Sequence, residues 1–294
     1  MSVTILVDST CDLSDVLINQ NNIKILPLHV NFGEETYLDR ENITVDELFN
    51  KVAKTGIMPK TAAISPARYY EAFKAELDKG NEVVTMGIGS GFSGTYQNAN
   101  IALDDFAEEE QARIHIIDSR NLSTGTGLLV LKACKFRDQG LNGAEIKARV
   151  EELVPRVRSM FSIDTLEYLH KGGRCSGTTR LFGTMLKIKP VIRVVDGAMV
   201  VAKKPMGKYS RSLQVQLDYV KNDSGNIDED FMMVTHAKAE SDAEYLLEEL
   251  TKIDHGVKNV YETTAGCIVS AHCGPRCIGI LYILKEDKKE VVEE

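Results

Sequence analysis

Two hydroxyl-bearing segments in the first third of the chain carry the residues best suited to chemistry. One is Lys60-Thr61-Ala62-Ala63-Ile64-Ser65-Pro66, the other Gly87-Ile88-Gly89-Ser90-Gly91-Phe92-Ser93-Gly94-Thr95-Tyr96-Gln97. Each reads as lying where a helix begins, so that alcohols and free backbone N–H groups face a small anion. Neither contains a base, a metal ligand or a nucleotide fingerprint. Gly87-x-Gly89-x-Gly91 is not G-x-G-x-x-G, and it follows the third expected strand rather than the first. A nucleophile elbow needs one residue between serine and glycine, whereas Gly94 follows Ser93 directly. Ser93 alone is equally well an ordinary N-cap. The flanking glycines, which permit close backbone approach, favour a ligand role. The pattern holds an anion; it does not break a bond.

Three further groups complete the set. His272, in Ser270-Ala271-His272-Cys273-Gly274-Pro275-Arg276-Cys277, is expected at a strand end beside a Gly-Pro turn, where an imidazole can donate to a carboxylate. Its neighbours Cys267, Cys273 and Cys277 raise a metal alternative, but their spacing matches no zinc pattern, so no metal is assigned. Lys171-Gly172-Gly173-Arg174 forms an exposed basic loop suited to an acidic or phosphorylated partner, although a plain connector reads the same way. Asp8 and Asp118 end two strands and resemble a catalytic pair. Carboxylates accepting backbone N–H groups are the simpler account of them. Enzymatic alternatives remain at this stage: a hydrolase using Ser93, or a phosphotransferase using Asp8.

The elements that must position these groups follow from periodicity. Strands are expected at 3–8, 23–30, 83–88 and 114–118. Helices are expected from a Thr44–Glu47 capping box to about Lys54, and from the Ser65-Pro66 start to a Gly80 stop. Others span 94–106 behind Ser93, 122–139, and Asn142 to about Val157. This alternation implies a mostly parallel sheet with helices on both faces. Beyond about residue 158 the order changes. A strand at 160–163 is followed by a hairpin, 191–195 and 199–202 around Asp196-Gly197, and by a helix from Ser210. A strand at 231–234, a helix capped by Ser241, and a terminal strand pair, 267–271 and 277–284, complete the half. The expected fold class is therefore α/β in two domains. Residues 1–157 form a three-layer α/β/α Rossmann-like domain, and 158–294 a two-layer mixed-sheet domain.

Composition bounds the function. With 294 residues, 43% hydrophobic, and a net charge of −8, the chain is neither nucleic-acid-binding nor strongly membrane-bound in character. An anion must then be held by local donors. The six cysteines are scattered, and the start lacks a basic n-region, which together read as reduced thiols in a cytoplasm.

The ordered set of segments resembles the DegV family, the bacterial fatty-acid-binding carrier subunits of fatty acid kinase. The likeness runs from Asp8-Ser9-Thr10-Cys11-Asp12-Leu13 through Gly89–Gln97 and Asp118–Gly127 to Gly172-Gly173-Arg174, Ile188-Lys189-Pro190 and His272-Cys273-Gly274-Pro275. The resemblance implies a long-chain fatty acid sheathed between the domains. Thr61, Ser93 and His272 would hold its carboxylate, with Gly94 and Thr95 beside them. It implies no catalytic residue and no cofactor beyond the bound lipid. An ATP-dependent kinase partner would phosphorylate the carboxylate to an acyl phosphate for phospholipid metabolism, docking through Arg174, Lys203 and Lys204. Transient membrane contact is compatible with that role. Three departures stand out. The usual T-S-Q-P-S is Thr61-Ala62-Ala63-Ile64-Ser65. The usual G-P-G after the histidine ends in Arg276, which sets a cation near the expected head group. Lys203-Lys204-Pro205-Met206-Gly207-Lys208 replaces a V-R-T-like stretch.

Overall fold

The computed structural model describes residues 2–174 and 188–287; Cys175, Ser176 and the rest of that polar stretch, with the tail from 288, lie outside the described residues. The chain opens with β1 (Val3–Asp8), buried throughout, then α1 (Asp15–Gln20), capped by Ser14. Next come β2 (Lys24–Leu26), β3 (His29–Phe32) and β4 (Glu35–Leu38). α2 (Val45–Thr55) carries the reciprocal Thr44–Glu47 capping box and ends at Gly56, φ 69°. β5 (Lys60–Ala62) leads to α3 (Pro66–Leu77), whose Arg68 N–H is accepted by Ser65. β6 (Glu82–Gly87), α4 (Thr95–Asp104), α5 (Glu108–Gln111), β7 (Ile114–Asp118), α6 (Thr124–Asp138) and α7 (Gly143–Leu153) complete the first half. The second half runs β8 (Val157–Ser162), α8 (Glu167–Lys171), β9 (Val191–Val195), β10 (Ala198–Lys203) and α9 (Ser210–Asp223). It then closes with β11 (Ile227–Ala237), α10 (Glu240–Leu250), β12 (Asn259–Thr264), α11 (Cys267–Cys273) and β13 (Cys277–Leu284).

β2-β1-β6-β7 form a four-stranded parallel sheet. Strand alternation sends Val3, Ile5 and Val7 to the face covered by α1, α6 and α7, and Leu6 to the face covered by α3 and α4. The second sheet, β10-β9-β8-β13-β11-β12, is antiparallel except for β11–β12. One of its faces packs on α9 and α10. The other meets α6. Every residue from Thr124 to Cys134 is buried, and this helix shares one core with β1 and with Met233 and Leu281 of the second sheet. α6 is thus the common wall of both layers. Close approach at its start needs glycine. A Cβ on Gly125 would sit 2.2 Å from both Asn121 Oδ1 and Ser159 Oγ.

Several sequence expectations are corrected. The strand expected at 23–30 is cut at Pro27, which lacks an N–H for the ladder. β2 joins the parallel sheet, while β3 pairs with β4 and β5 in a separate three-stranded antiparallel sheet. The helix from Asn142 ends at Leu153. A 3₁₀ turn containing Pro155 follows, and Val157 is already strand. Residues 267–271 are helical rather than extended, because a short apolar run buried on every side has no period to distinguish the two. The strand beside β11 on that edge is β12. Ser241 does not cap α10; Ala239 holds that position with no side-chain bond.

Gly125→Ala is expected to destabilise the fold by about 1–3 kcal/mol, lowering the thermal midpoint by several degrees. Gly94→Ala is expected to leave the midpoint unchanged, since open space surrounds that position. Parallel calorimetry of the two variants checks both.

Candidate functional site

Thr61, Ser93 and His272 arrive on separate elements and line one cavity of about 110 Å³. Thr61 stands in the middle of β5, opposite Val30 of β3, and not at a helix start. Its hydroxyl lies 2.9 Å from His272 Nε2, a contact joining residues 211 apart in sequence. Ser93 precedes α4 but does not cap it; Gly94 holds the N-cap position without a side-chain bond. The Ser93 hydroxyl instead accepts from the Thr95 N–H at 3.3 Å and pairs with Thr95 Oγ1 at 2.8 Å. This pairing orients it, and when the Thr95 hydroxyl is the donor the Ser93 proton is left for a further partner. Around these polar groups the cavity is apolar, walled by Leu28, Ile88, Phe92, Leu122, Ile268 and Val269. A smaller void of about 20 Å³ shares Leu122, Val269 and Cys273 and reaches Phe161, Cys277 and Leu281 between α6 and the second sheet. The two voids are neighbours on either side of these shared side chains.

His272 sits in the last turn of α11, ahead of Gly274 at φ 77°. Its Nδ1 is buried, with no hydrogen-bond partner among the described residues. Burial first, and the Arg174 charge second, push its pKa down to about 4. Near neutral pH the imidazole is therefore uncharged, with one N–H to donate. The double glycine is not a plain connector. A Cβ on Gly172 would lie 2.2 Å from His272 Nδ1, and one on Gly274 would lie 2.7 Å from the Tyr168 ring. Gly172, just after α8, thus fits against the histidine, while open space surrounds Gly173. Arg174, also at the cavity, donates from Nη1 to Gly172 O at 2.8 Å and reaches Phe92 O with Nε at 3.5 Å.

With this geometry in view, the DegV family model, described as one of uncharacterised proteins, matches residues 2–285. The chain belongs to the DegV family. A DegV domain-containing protein of Clostridium acetobutylicum is 35% identical over 283 residues, covering 96% of this chain and 99% of the relative. Among solved structures, the fatty-acid-binding DegV family protein of Thermus thermophilus superposes with a TM-score of 0.89. It has 27% identity, over 97% of this chain and 100% of that one. The stearic-acid-binding protein of Eubacterium ventriosum gives 0.85 and 27%, over 97% and 99%.

Other expected residues fall differently within this DegV fold. Asp8 accepts from the N–H groups of Thr10 and Ile88 and from the Thr10 hydroxyl; burial pushes its pKa up to about 6. Asp118 accepts from the Ser90 and Arg120 N–H groups and the Ser90 hydroxyl. Both carboxylates are occupied in holding loops. Arg276 turns away from the cavity: Nε donates to Asp242 at 2.9 Å and the guanidinium covers Tyr209 at 4.5 Å, which corrects its expected place near the head group. Lys203 ends β10 and Lys204 follows it, both exposed. Cys11, Cys134, Cys267, Cys273 and Cys277 are buried free thiols, and Cys273 and Cys277 contact each other. Among the described residues no His, Cys, Asp and Glu group is arranged to hold a metal, and no helix is long and apolar enough to cross a membrane. The glycines before Ser93 serve the protein itself. A Cβ on Gly89 would strike Asn121 N at 2.7 Å, and one on Gly91 would strike Gly197 O at 2.2 Å. The apolar walls escaped sequence reading, because burial patterns do not distinguish a filled core from a lined cavity.

The depressed pKa has a sign. Unfolded, His272 takes a proton near its ordinary value of 6.5; folded, it resists until about 4. Its contribution to stability is therefore complete above about 6.5 and is lost as pH falls toward 4. His272→Gln should flatten that part of the stability–pH curve relative to wild type, as urea melts across the range will show. An unchanged slope contradicts the buried, neutral imidazole.

Proposed function

We propose that this protein binds a long-chain fatty acid and presents its carboxylate to a partner kinase. Thr61, Ser93 and His272 hold the head group, and the alkyl chain lies along Leu122 and Val269 toward the inner void. The observation that carries this reading is the Thr61–His272 contact at the polar end of an otherwise apolar cavity. Each methylene removed from water contributes about 0.8 kcal/mol, so the tail supplies the affinity. The carboxylate would oppose that gain unless hydrogen-bonded, and two alcohols and one imidazole N–H replace its hydration. Gly94 and Thr95 frame the serine side of the head group.

Arg174, exposed at the cavity rim, gives a partner a cationic handle beside the carboxylate, and the exposed Lys203 and Lys204 add positive charge at the end of β10. In this reading the kinase supplies ATP and the phosphoryl transfer, and this chain supplies position and a dry tunnel. Relatives at 27% identity whose known ligand is fatty acid, stearic acid in one, support the lipid assignment. A hydrolase built on Ser93 is the poorer reading. The serine pairs with Thr95 rather than with a base, while His272 pairs with Thr61. A phosphotransferase built on Asp8 fares no better, since its carboxylate is only 1% exposed and already hydrogen-bonded.

Ser93→Ala and His272→Ala should fold normally and each weaken stearic acid binding roughly tenfold, about one charge-assisted hydrogen bond. Val269→Phe should block passage to the inner void, abolishing long-chain binding while sparing an eight-carbon acid. Displacement of a fluorescent fatty acid measures all three. Wild-type affinity in both alanine variants would overturn the head-group assignment. Arg174→Ala should bind lipid normally yet lose acyl phosphate formation with the kinase, and unchanged turnover would remove its docking role.

A further inference from the structure

The helix carrying His272 is short, seven residues, and its N-cap, Gly266, offers no side chain. Its first N–H groups are satisfied from the other half of the chain. Gly266 N donates to Asp12 Oδ1 at 2.8 Å, and Cys267 N donates to Asp39 Oδ1 at 3.0 Å. Both aspartates are 1% exposed. Asp12 also accepts from the Ser123 hydroxyl at 2.5 Å, just ahead of α6, and the Asp39 N–H is fixed to Leu28 O at 2.9 Å. Leu28 is itself a wall of the cavity. Asp39 is buried, the Ser9 hydroxyl and the Cys267 N–H both serve its carboxylate, and the second of these is its bond to the start of the helix. Gly266 is wedged between the pair: a Cβ there would lie 3.0 Å from Asp12 Oδ1 and 3.3 Å from Asp39 Oδ2.

We propose that Asp12 and Asp39 are positioning residues for the head-group site, clamping the start of α11 so that its last turn delivers His272 to Thr61. Satisfying the free N–H groups at a helix start with acceptor oxygens fixes where the helix begins. Over seven residues a helix is about 10 Å long, so its anchored start and the imidazole at its end move as one body. Neither aspartate lines the cavity that holds His272. Their effect on a ligand acts through the histidine. Burial pushes the Asp12 pKa up to about 7 and that of Asp39 upward as well, so both carboxylates are kept in place against their solvation preference. The inference rests on the assignment of His272 to the ligand carboxylate.

The test separates head-group positioning from general damage by measuring affinity for stearic acid and for octadecanol, which share a tail. Wild type should prefer the acid. His272→Ala should lose most of that preference. Asp39→Ala should lose it by a similar factor, roughly fivefold to tenfold, and the double variant should lose no more. Asp39→Asn, which keeps the acceptor, should restore it. From the other side, Cys267→Pro removes the donated N–H at a first-turn position that tolerates proline, and should lose the preference. Cys267→Ala keeps the N–H and should retain it. These two decide the matter if Asp39→Ala does not fold. The proposal is overturned if Asp39→Ala and Cys267→Pro weaken acid and alcohol equally. It is also overturned if the Asp39 and His272 losses add. Loss in Asp39→Ala with none in His272→Ala would instead sink the head-group assignment.

Discussion

The approach of the Thr61 hydroxyl to the His272 imidazole, 2.9 Å across 211 residues of sequence, is the contact on which both halves of the molecule converge. One partner rides on a small antiparallel sheet of the first half. The other rides on a helix inserted between the last two strands of the second. Neither element brings its side chain to the cavity without the rest. β5 is held by β3, and α11 begins against Asp12 and Asp39 and ends against Tyr168 and Gly172. Burial keeps the imidazole neutral, so it offers hydrogen-bond direction rather than charge.

The apolar part of the design has a different origin. α6 is buried from Thr124 to Cys134 and serves as a wall for both sheets. At its start the paired layers do not fill the space completely, and the two voids share Leu122, Val269 and Cys273. In the proposed function a linear amphipath suits a polar end set beside an apolar one, because its own two ends make opposite demands. The tail gains from leaving water, and the head tolerates burial only where donors are already in place. Protein partners fix two of the polar side chains at the cavity: Ser93 is oriented by Thr95 and His272 by Thr61.

Much of this was legible in the chain, and the failures have physical causes. Capping boxes at Thr44 and Asn142, the Ser65-Pro66 start and the Asp196-Gly197 hairpin are local, and each forms as its residues require. Cys267–Ala271 reads as a strand because burial on all sides erases periodicity, and Pro27 divides one expected strand into β2 and β3. At the site, the residue types point to a held anion, while their neighbours in sequence serve other contacts. The glycines before Ser93 make room for Asn121 and Gly197, not for a ligand. Arg276, adjacent to the site in sequence, is drawn away by Asp242 and Tyr209. The role of Gly172 was hidden for the same reason: what a missing Cβ would strike is a property of tertiary packing.

The most direct measurement is a crystal structure of this chain grown with stearic acid. The account predicts one carboxylate within about 3 Å of Thr61 Oγ1, Ser93 Oγ and a His272 ring nitrogen, with the tail passing Leu122 and Val269 into the inner void. A head group bound elsewhere, or an acid lying on the surface with both voids unentered, would contradict it.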